Sequence, residues 1–497
     1  MNWTTAGPEI YYFAASLWFL LATFIGDGFG PREAPPKAAP TLSAAQPPAS
    51  HRRREHLTAL FLASVGVLVC LISTGSQGHL FIRAYRVDLF SQVFKTLISL
   101  GLFLIICLCG DMTDIRQRRH HEFYFLLFTC TLALMLLVSA DHLLSIYISL
   151  EVSSYSLYIL VALRKNQGFG LEAGIKYFLI GTFSSAVMLF GMALLYSMSG
   201  TTYLDDMARV LPEIIGQPGV VIGLLFTLGG FFFKLAVFPF HLWAPDAYQG
   251  AANQVAAYIA TASKVAAIAV IVRVLAFAGQ GSVYLVHVLA IVSVVSMTLG
   301  NLAAIVQKDL KRLLAFSTIA HSGYVLIGIL VLSPAGYSGV IYYALAILVM
   351  KFTAFMVIVE LASDGRNLQI EELAGLHRRS PILALALMVS LFSLAGIPPT
   401  IGFTGKFLVF VAAIEKGYVA LVIIAMINVV ISLYYYLLVI KAAYLLEPAV
   451  ALPPLGVSMP KKLLAGVSTL VIVAAGIYPS WLIQLARSAA QSLIWTR

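Results

Sequence analysis

Apolar residues run along this chain in long blocks separated by short polar joints. A membrane-crossing helix needs roughly 20 mainly apolar residues, because lipid offers no partner to an unpaired backbone group. Fourteen stretches meet that requirement, near residues 8–26, 57–75, 88–110, 122–140, 142–163, 174–198, 219–240, 251–275, 283–306, 313–332, 337–361, 381–414, 417–440 and 461–484. The pattern predicts an all-α polytopic membrane protein. The twelfth stretch is too long for one plain helix, and Ala395 to Gly405 reads AGIPPTIGFTG, so the helix is expected to break there. The seventh has a weaker version of the same feature, with Gly229, Gly230 and Pro239 around Lys234. Broken helices are tolerated at membrane depth only beside protein or a wet cavity.

Polar joints set the expected topology. Basic clusters fall in the odd-numbered connections: Arg52 to Arg54, Arg116, Arg118 and Arg119, Lys308 to Arg312, Arg378 and Arg379, and Lys461 and Lys462. The even-numbered connections hold little beyond Arg83, Arg86, Arg209, Arg273 and Lys416. Short basic loops stay in the cytoplasm, so both termini are expected outside. The first connection is rich in Pro and Ala and is expected to be disordered over 28–56. Composition agrees: of 497 residues, 60% are hydrophobic and 11% charged, with mean hydropathy +0.92. The net charge of +10 follows from the basic loops and does not call for nucleic acid. The N-terminus lacks a basic stretch before its apolar run and carries Glu9, so it reads as a first span and not a signal peptide.

The candidate chemistry lies in ionisable residues inside the spans: Glu151, Lys176, Lys234, Lys264, Lys351 and Lys406. On insertion scales each costs about 2.5–3.5 kcal/mol at a helix centre, so they must face protein or water. Polar residues recur beside them at helical steps, which puts them on shared faces. These are Tyr147, Glu151, Ser154 or Tyr155 and Tyr158; Gln254, Tyr258, Thr261 and Lys264; Ser317, His321 and Tyr324; and Asn428, Ser432 and Tyr435. Hydroxyl, imidazole and amine groups in series can hold the water chain that proton transfer needs. Bland readings compete at three positions: Lys176 can snorkel to the interface, Lys351 can pack helices, and His321 can be a satisfied core histidine. The four cysteines, Cys70, Cys107, Cys109 and Cys130, form no metal or disulfide pattern. Dinucleotide and phosphate-loop motifs are missing, so no cofactor and no metal is expected in this chain.

Spacing also hints at an internal repeat. Asp141 and Asp309 open the fifth and tenth helices, 168 residues apart, and Lys234 and Lys406 beside the two breaks are 172 apart (309 − 141 and 406 − 234). Two five-helix units, each with an interrupted helix, fit an inverted-repeat transporter.

Four stretches resemble the antiporter-like membrane subunits of respiratory complex I, most of all the subunit N branch. They are FKLAVFPFHLWAPDAYQGA (Phe233 to Ala251), ATASKVA around Lys264, GNLAAIVQKDLKRLLAFSTIAHSGY (Gly300 to Tyr324) and FSLAGIPPTIGFTGKF (Phe392 to Phe407). The resemblance implies about fourteen helices with two inverted five-helix repeats, 122–275 and 283–440, and broken helices 7 and 12. Flanking them would be a three-helix segment, 1–121, and a last loop and helix, 441–497. It implies a proton path through Glu151, Lys234, Lys264 and Lys406, with Lys176 as a further lysine of subunit N; the polar faces add Tyr258, Tyr324, His321 and Lys351 as accessory candidates. It further implies a bacterial inner-membrane location, lipid and neighbouring antiporter-like and small membrane subunits as partners, and NADH, FMN, iron–sulfur clusters and quinone in partner subunits. Lys351 stands where subunit N is expected to have a neutral polar residue. That departure keeps a multisubunit cation/proton antiporter or a membrane-bound hydrogenase open as the alternative.

Overall fold

The computed structural model describes residues 3–27, 49–165, 168–276, 283–448 and 453–493. The first spans are α1 (Gly7–Asp27), α2 (Ala49–Ile72), α3 (Leu89–Cys107), α4 (His120–Ser139), α5 (Leu143–Ala162) and α6 (Gly168–Ser199). A short helix, α7 (Leu204–Ile214), precedes the seventh span, which is split into α8 (Pro218–Leu235) and α9 (Trp243–Gly250). The eighth is α10 (Asn253–Ala260) and α11 (Ala262–Ala276), followed by α12 (Val283–Ile305), α13 (Leu310–Leu330) and α14 (Pro334–Leu361). A single turn, α15 (Leu376–Arg379), leads into the split twelfth span, α16 (Pro381–Ala395) and α17 (Ile401–Glu415). The chain then runs through α18 (Val419–Leu445) and α19 (Met459–Ile477) to a final α20 (Ser480–Ser492). Twelve helical stretches are long and apolar enough to cross a membrane, and α1 with the α16–α17 pair brings the described spans to fourteen.

Helix starts follow local chemistry. Asp88 caps α3 by accepting from Ser91 N at 2.8 Å, while Ser91 Oγ accepts from Asp88 N at 3.0 Å, a reciprocal capping box. Asp309 caps α13 through Arg312 N at 2.9 Å, and Ser333 caps α14 with Pro334 in the first turn.

Three features differ from the sequence expectation. Residues 49–56, assigned to the disordered loop, belong to α2; residues 28–48 of that loop lie outside the described residues. The eighth span breaks at Thr261 with no Gly or Pro to announce it. The second connection forms a small antiparallel hairpin, β1 (Gly78–Leu80) with β2 (Tyr85–Val87).

Burial is graded across the bundle. The apolar window of α10–α11 is 100% buried and that of α13 is 94% buried, against 22% for α19. A helix apolar on every side belongs inside a large bundle. Lys264, Lys351 and the residues around them therefore sit at the centre, enclosed by protein rather than lipid.

The connections sort onto two faces. Odd-numbered ones meet: Arg164 donates to the carbonyls of Gln249 and Gly365, Asn253 N donates to Asp114, and Lys311 donates to Ala251 O. Even-numbered ones meet on the other face: Asp141 N donates to Ala84 O, Leu204 N donates to Asp141 O, and Arg83 pairs with Asp206. Asp141 and Asp309 thus open their helices from opposite faces, as an inverted repeat requires.

Candidate functional site

Each helix break strands carbonyls that need partners. Ala236, with φ +62°, ends α8 in the left-handed region. Of the last four carbonyls, Phe232 O and Phe233 O accept from Val237 N and Ala236 N, and Phe233 O also from the Trp243 indole. Lys234 O accepts from Lys264 Nζ at 2.8 Å, and Leu235 O from Ser322 Oγ at 2.7 Å. Gly396, with φ +88°, ends α16 in the same way. Phe392 O and Ser393 O accept from Gly396 N, and Leu394 O and Ala395 O both accept from Lys406 Nζ at 2.9 and 3.0 Å. A helix C-terminus carries partial negative charge, so an ammonium is a fitting cap for each break. The two left-handed caps are 160 residues apart (396 − 236), which puts Leu394 opposite Lys234. Lys406 follows its break whereas Lys234 precedes its own, so the two lysines are not equivalent positions of the repeat.

Around the first break, Lys234 Nζ donates to Ser153 Oγ at 2.8 Å and Ser154 Oγ at 3.1 Å. Both serines lie within one turn of Glu151 on α5, whose carboxylate accepts from Ser185 Oγ on α6. Lys264 also sits 4.7 Å from the Trp243 ring centroid, a cation–π contact. Tyr258 Oη bonds Thr131 Oγ1 at 2.7 Å. Around the second break, Lys351 Nζ donates to Ser317 Oγ at 2.6 Å and Leu314 O at 3.0 Å. Ser317 Oγ meets Tyr436 Oη at 2.6 Å, which lies 3.3 Å from His321 Nε2; His321 Nδ1 meets Tyr343 Oη at 2.5 Å. Lys406 lies 4.8 Å from the centroid of Tyr324, and Tyr324 Oη accepts from Asn301 at 3.2 Å. All four central amines are buried, and among the described residues no carboxylate comes within 4.0 Å of any of them.

Glu151, Lys234, Lys264, Lys351, His321, Tyr258, Tyr324 and Lys406 therefore share the protein interior, in two clusters joined by α14 packing on α10 and α11. Glu151 and Lys234 are not in ion-pair contact; Lys234 bonds the α5 serines, and Glu151 bonds Ser185 on α6. Lys176 is apart, with 46% of its side chain exposed, paired to Glu172 at 2.7 Å and Asp246 at 3.1 Å near the face of the odd connections. Tyr155 points outward at 45% exposure, leaving Ser154 as the inward member of that pair. Tyr436, one residue past the expected Tyr435, faces the Lys351 cluster.

Several buried charges escaped the sequence reading. Lys95 pairs with Glu9 at 2.7 Å, and its position inside the third apolar stretch was the available signal. Arg273, taken for a loop edge, is buried in α11 and reaches both oxygens of Asp88 at 2.9 and 3.1 Å. Arg312 pairs with Asp246 at 2.6 Å, so that carboxylate bridges α6, α9 and α13.

Residues 140–432 match the family described as NADH:quinone oxidoreductase/Mrp antiporter, TM. The chain belongs to this family. NADH-quinone oxidoreductase subunit N 2 of Syntrophobacter fumaroxidans is 66% identical over 494 residues, covering 99% of this chain and 100% of that one. Subunit N of Moorella thermoacetica is 37% identical over 86% of this chain and 90% of its own length. A chain of respiratory complex I from Thermus thermophilus with bound aureothin superposes with a TM-score of 0.80 at 30% identity, covering 97% and 99% of the two chains. A chain of the Mrp complex from a Dietzia species reaches 0.84 at 21% identity, over 99% and 98%, a likeness of fold. Within the family the chain groups with subunit N, an antiporter-like membrane subunit of a translocase.

Proposed function

We propose that this chain is a proton-translocating subunit N of NADH:quinone oxidoreductase, in which redox chemistry elsewhere in the complex drives protons along the buried axis. The observation that carries this reading is the set of central amines held by hydroxyls and stranded carbonyls instead of carboxylates. An amine held by dipoles can pass its proton to a hydroxyl or a water chain without first breaking an ion pair. Membrane-buried ionisable groups facing a bundle interior are the usual elements of such relays. In this reading Glu151 sets the charge state of Lys234 electrostatically, from the same helix that supplies the lysine's serine acceptors. The proton moves by way of Lys264 to the Lys351–Ser317–Tyr436–His321 group and on to Lys406. Lys176, outside the core, serves the approach from the face of the odd connections.

The same reading takes 122–275 and 283–440 as the two repeats, between an N-terminal segment 1–121 and a C-terminal segment 441–497. It puts the protein in a bacterial inner membrane with the odd connections cytoplasmic and both termini periplasmic. NADH, FMN, iron–sulfur clusters and quinone are held by partner subunits. The alternative is a cation/proton antiporter subunit or a membrane-bound hydrogenase; in either setting Lys351 belongs to the same hydroxyl network.

The test is the double variant Glu151→Gln with Lys234→Met in the whole complex, reconstituted in vesicles. Protons moved per electron passed to quinone should fall while the complex still assembles. An unchanged ratio overturns the assignment. Copurification of the tagged chain with NADH-oxidising subunits supports the complex I setting, and recovery of small antiporter subunits alone overturns it.

A further inference from the structure

On the face where the even connections meet, away from the proton axis, one carboxylate is conspicuously unsupported. Asp141 joins α4 to α5 and is 1% exposed. Its backbone is fixed by Ala84 O and Leu204 N, yet both of its carboxylate oxygens are buried with no hydrogen-bond partner among the described residues. Buried charges are normally paired or coordinate metals. Ligand atoms of His79, Asp141 and Asp205 all lie within 4.8 Å of one another.

The surrounding charges leave room for a cation. Asp206 pairs with Arg83 at 3.5 Å, and Asp88 pairs with Arg273 at 2.9 Å and Arg86 at 3.3 Å. Asp205 has only a loose approach from Arg86 at 3.7 Å. Four carboxylates thus face three guanidinium groups, and the unmatched one is Asp141. His79 is exposed and gives the site an entry from water.

We propose that His79, Asp141 and Asp205 bind a divalent transition-metal ion of the Zn²⁺ type, stitching the β1–β2 hairpin, the α4–α5 joint and the start of α7 together. One imidazole and two carboxylates are a ligand set for Zn²⁺, with the fourth position left to water. An imidazole ligand disfavours Mg²⁺ and Ca²⁺, which take oxygen. Each ligand comes from a different connection, 62 and 64 residues apart (141 − 79 and 205 − 141), so no sequence motif marks the site. Metal bonds of about 2.0–2.2 Å would draw the three ligand atoms closer together, a small adjustment for the exposed His79.

The experiment compares the whole purified complex with complexes carrying His79→Ala or Asp205→Asn. Each is stripped with chelator, titrated with Zn²⁺ alone, desalted and assayed for zinc by elemental mass spectrometry. The wild type should retain one more zinc per complex than either variant, with affinity at the variant sites at least tenfold weaker. Co²⁺ substituted into the wild type should give visible absorption bands that are missing from His79→Ala. His79 is exposed, so its variant decides the matter even where Asp205→Asn disturbs α7 through Arg86. Equal zinc stoichiometry in wild type and His79→Ala overturns the proposal.

Discussion

Gly396 offers a test of whether Lys406 works from the helix break. Both α8 and α16 end on a left-handed residue, but α8 uses Ala236 and α16 uses Gly396. The fold therefore accepts an alanine in such a cap, at an intrinsic cost of about 1–2 kcal/mol. At Gly396 an added Cβ would also lie 3.1 Å from Lys406 Cδ and 3.4 Å from its Nζ. The lysine stem would have to give by a few tenths of an ångström, which strains the bonds from its ammonium to Leu394 O and Ala395 O. Hydrogen bonds to charged groups are worth about 1.5–3 kcal/mol each. The cap strain is the same wherever the lysine points, so only this part counts: at 1.4 kcal/mol per power of ten, losing one bond weakens the lysine's hold on the break by roughly one to two orders of magnitude. Gly396→Ala should therefore assemble normally on native gels yet pump fewer protons per electron in vesicles. Gly417→Ala, at the same φ of +88° but with nothing within 4 Å of the added Cβ, is the matched control. Native proton stoichiometry in a Gly396→Ala complex would show that Lys406 need not rest on the broken helix.

Three further perturbations probe other contacts. Ser317→Ala removes the hydroxyl between Lys351 and Tyr436, and should slow proton transfer severalfold in vesicles without lowering the yield of assembled complex. Arg273→Met leaves Asp88 buried beside Arg86 alone; losing one member of a buried pair costs about 3–5 kcal/mol, so assembled complex should fall sharply on native gels, and the Asp88→Asn, Arg273→Met double variant should regain part of it. Gly181→Ala drives a Cβ into the Tyr158 hydroxyl and to 2.9 Å from Phe233 Cζ; overpacking of this kind costs about 1–3 kcal/mol, lowering the thermal midpoint of the complex, and adding Tyr158→Phe should recover only the part due to the hydroxyl.

The sequence by itself determined the solvent and the scaffold. Lipid demands blocks of about 20 apolar residues, and all fourteen blocks became helices with ends shifted by a few residues. The break in the twelfth span was legible because two adjacent prolines cannot sit inside a helix, and the buried amines were legible because a charge in an apolar block is costly. The chain also marked which connections share a face, since basic residues sort by side.

Tertiary structure decided what each charge touches. Lys351 and Lys95 look alike in sequence, an amine in an apolar run. One donates to a serine hydroxyl and a carbonyl in the central bundle; the other pairs with Glu9 on α1. The break at Thr261 has no local cause in composition and depends on how α10 and α11 pack. Tyr435 and Tyr436 are both buried, one bonded to Asn301 and the other to Ser317, and which partner each takes depends on the rotation of α18. The His79, Asp141 and Asp205 cluster arises from three connections that only the folded bundle brings together. Periodicity fixes which residues share one helix face; contacts between helices depend on rotations and crossings that a sequence pattern does not encode.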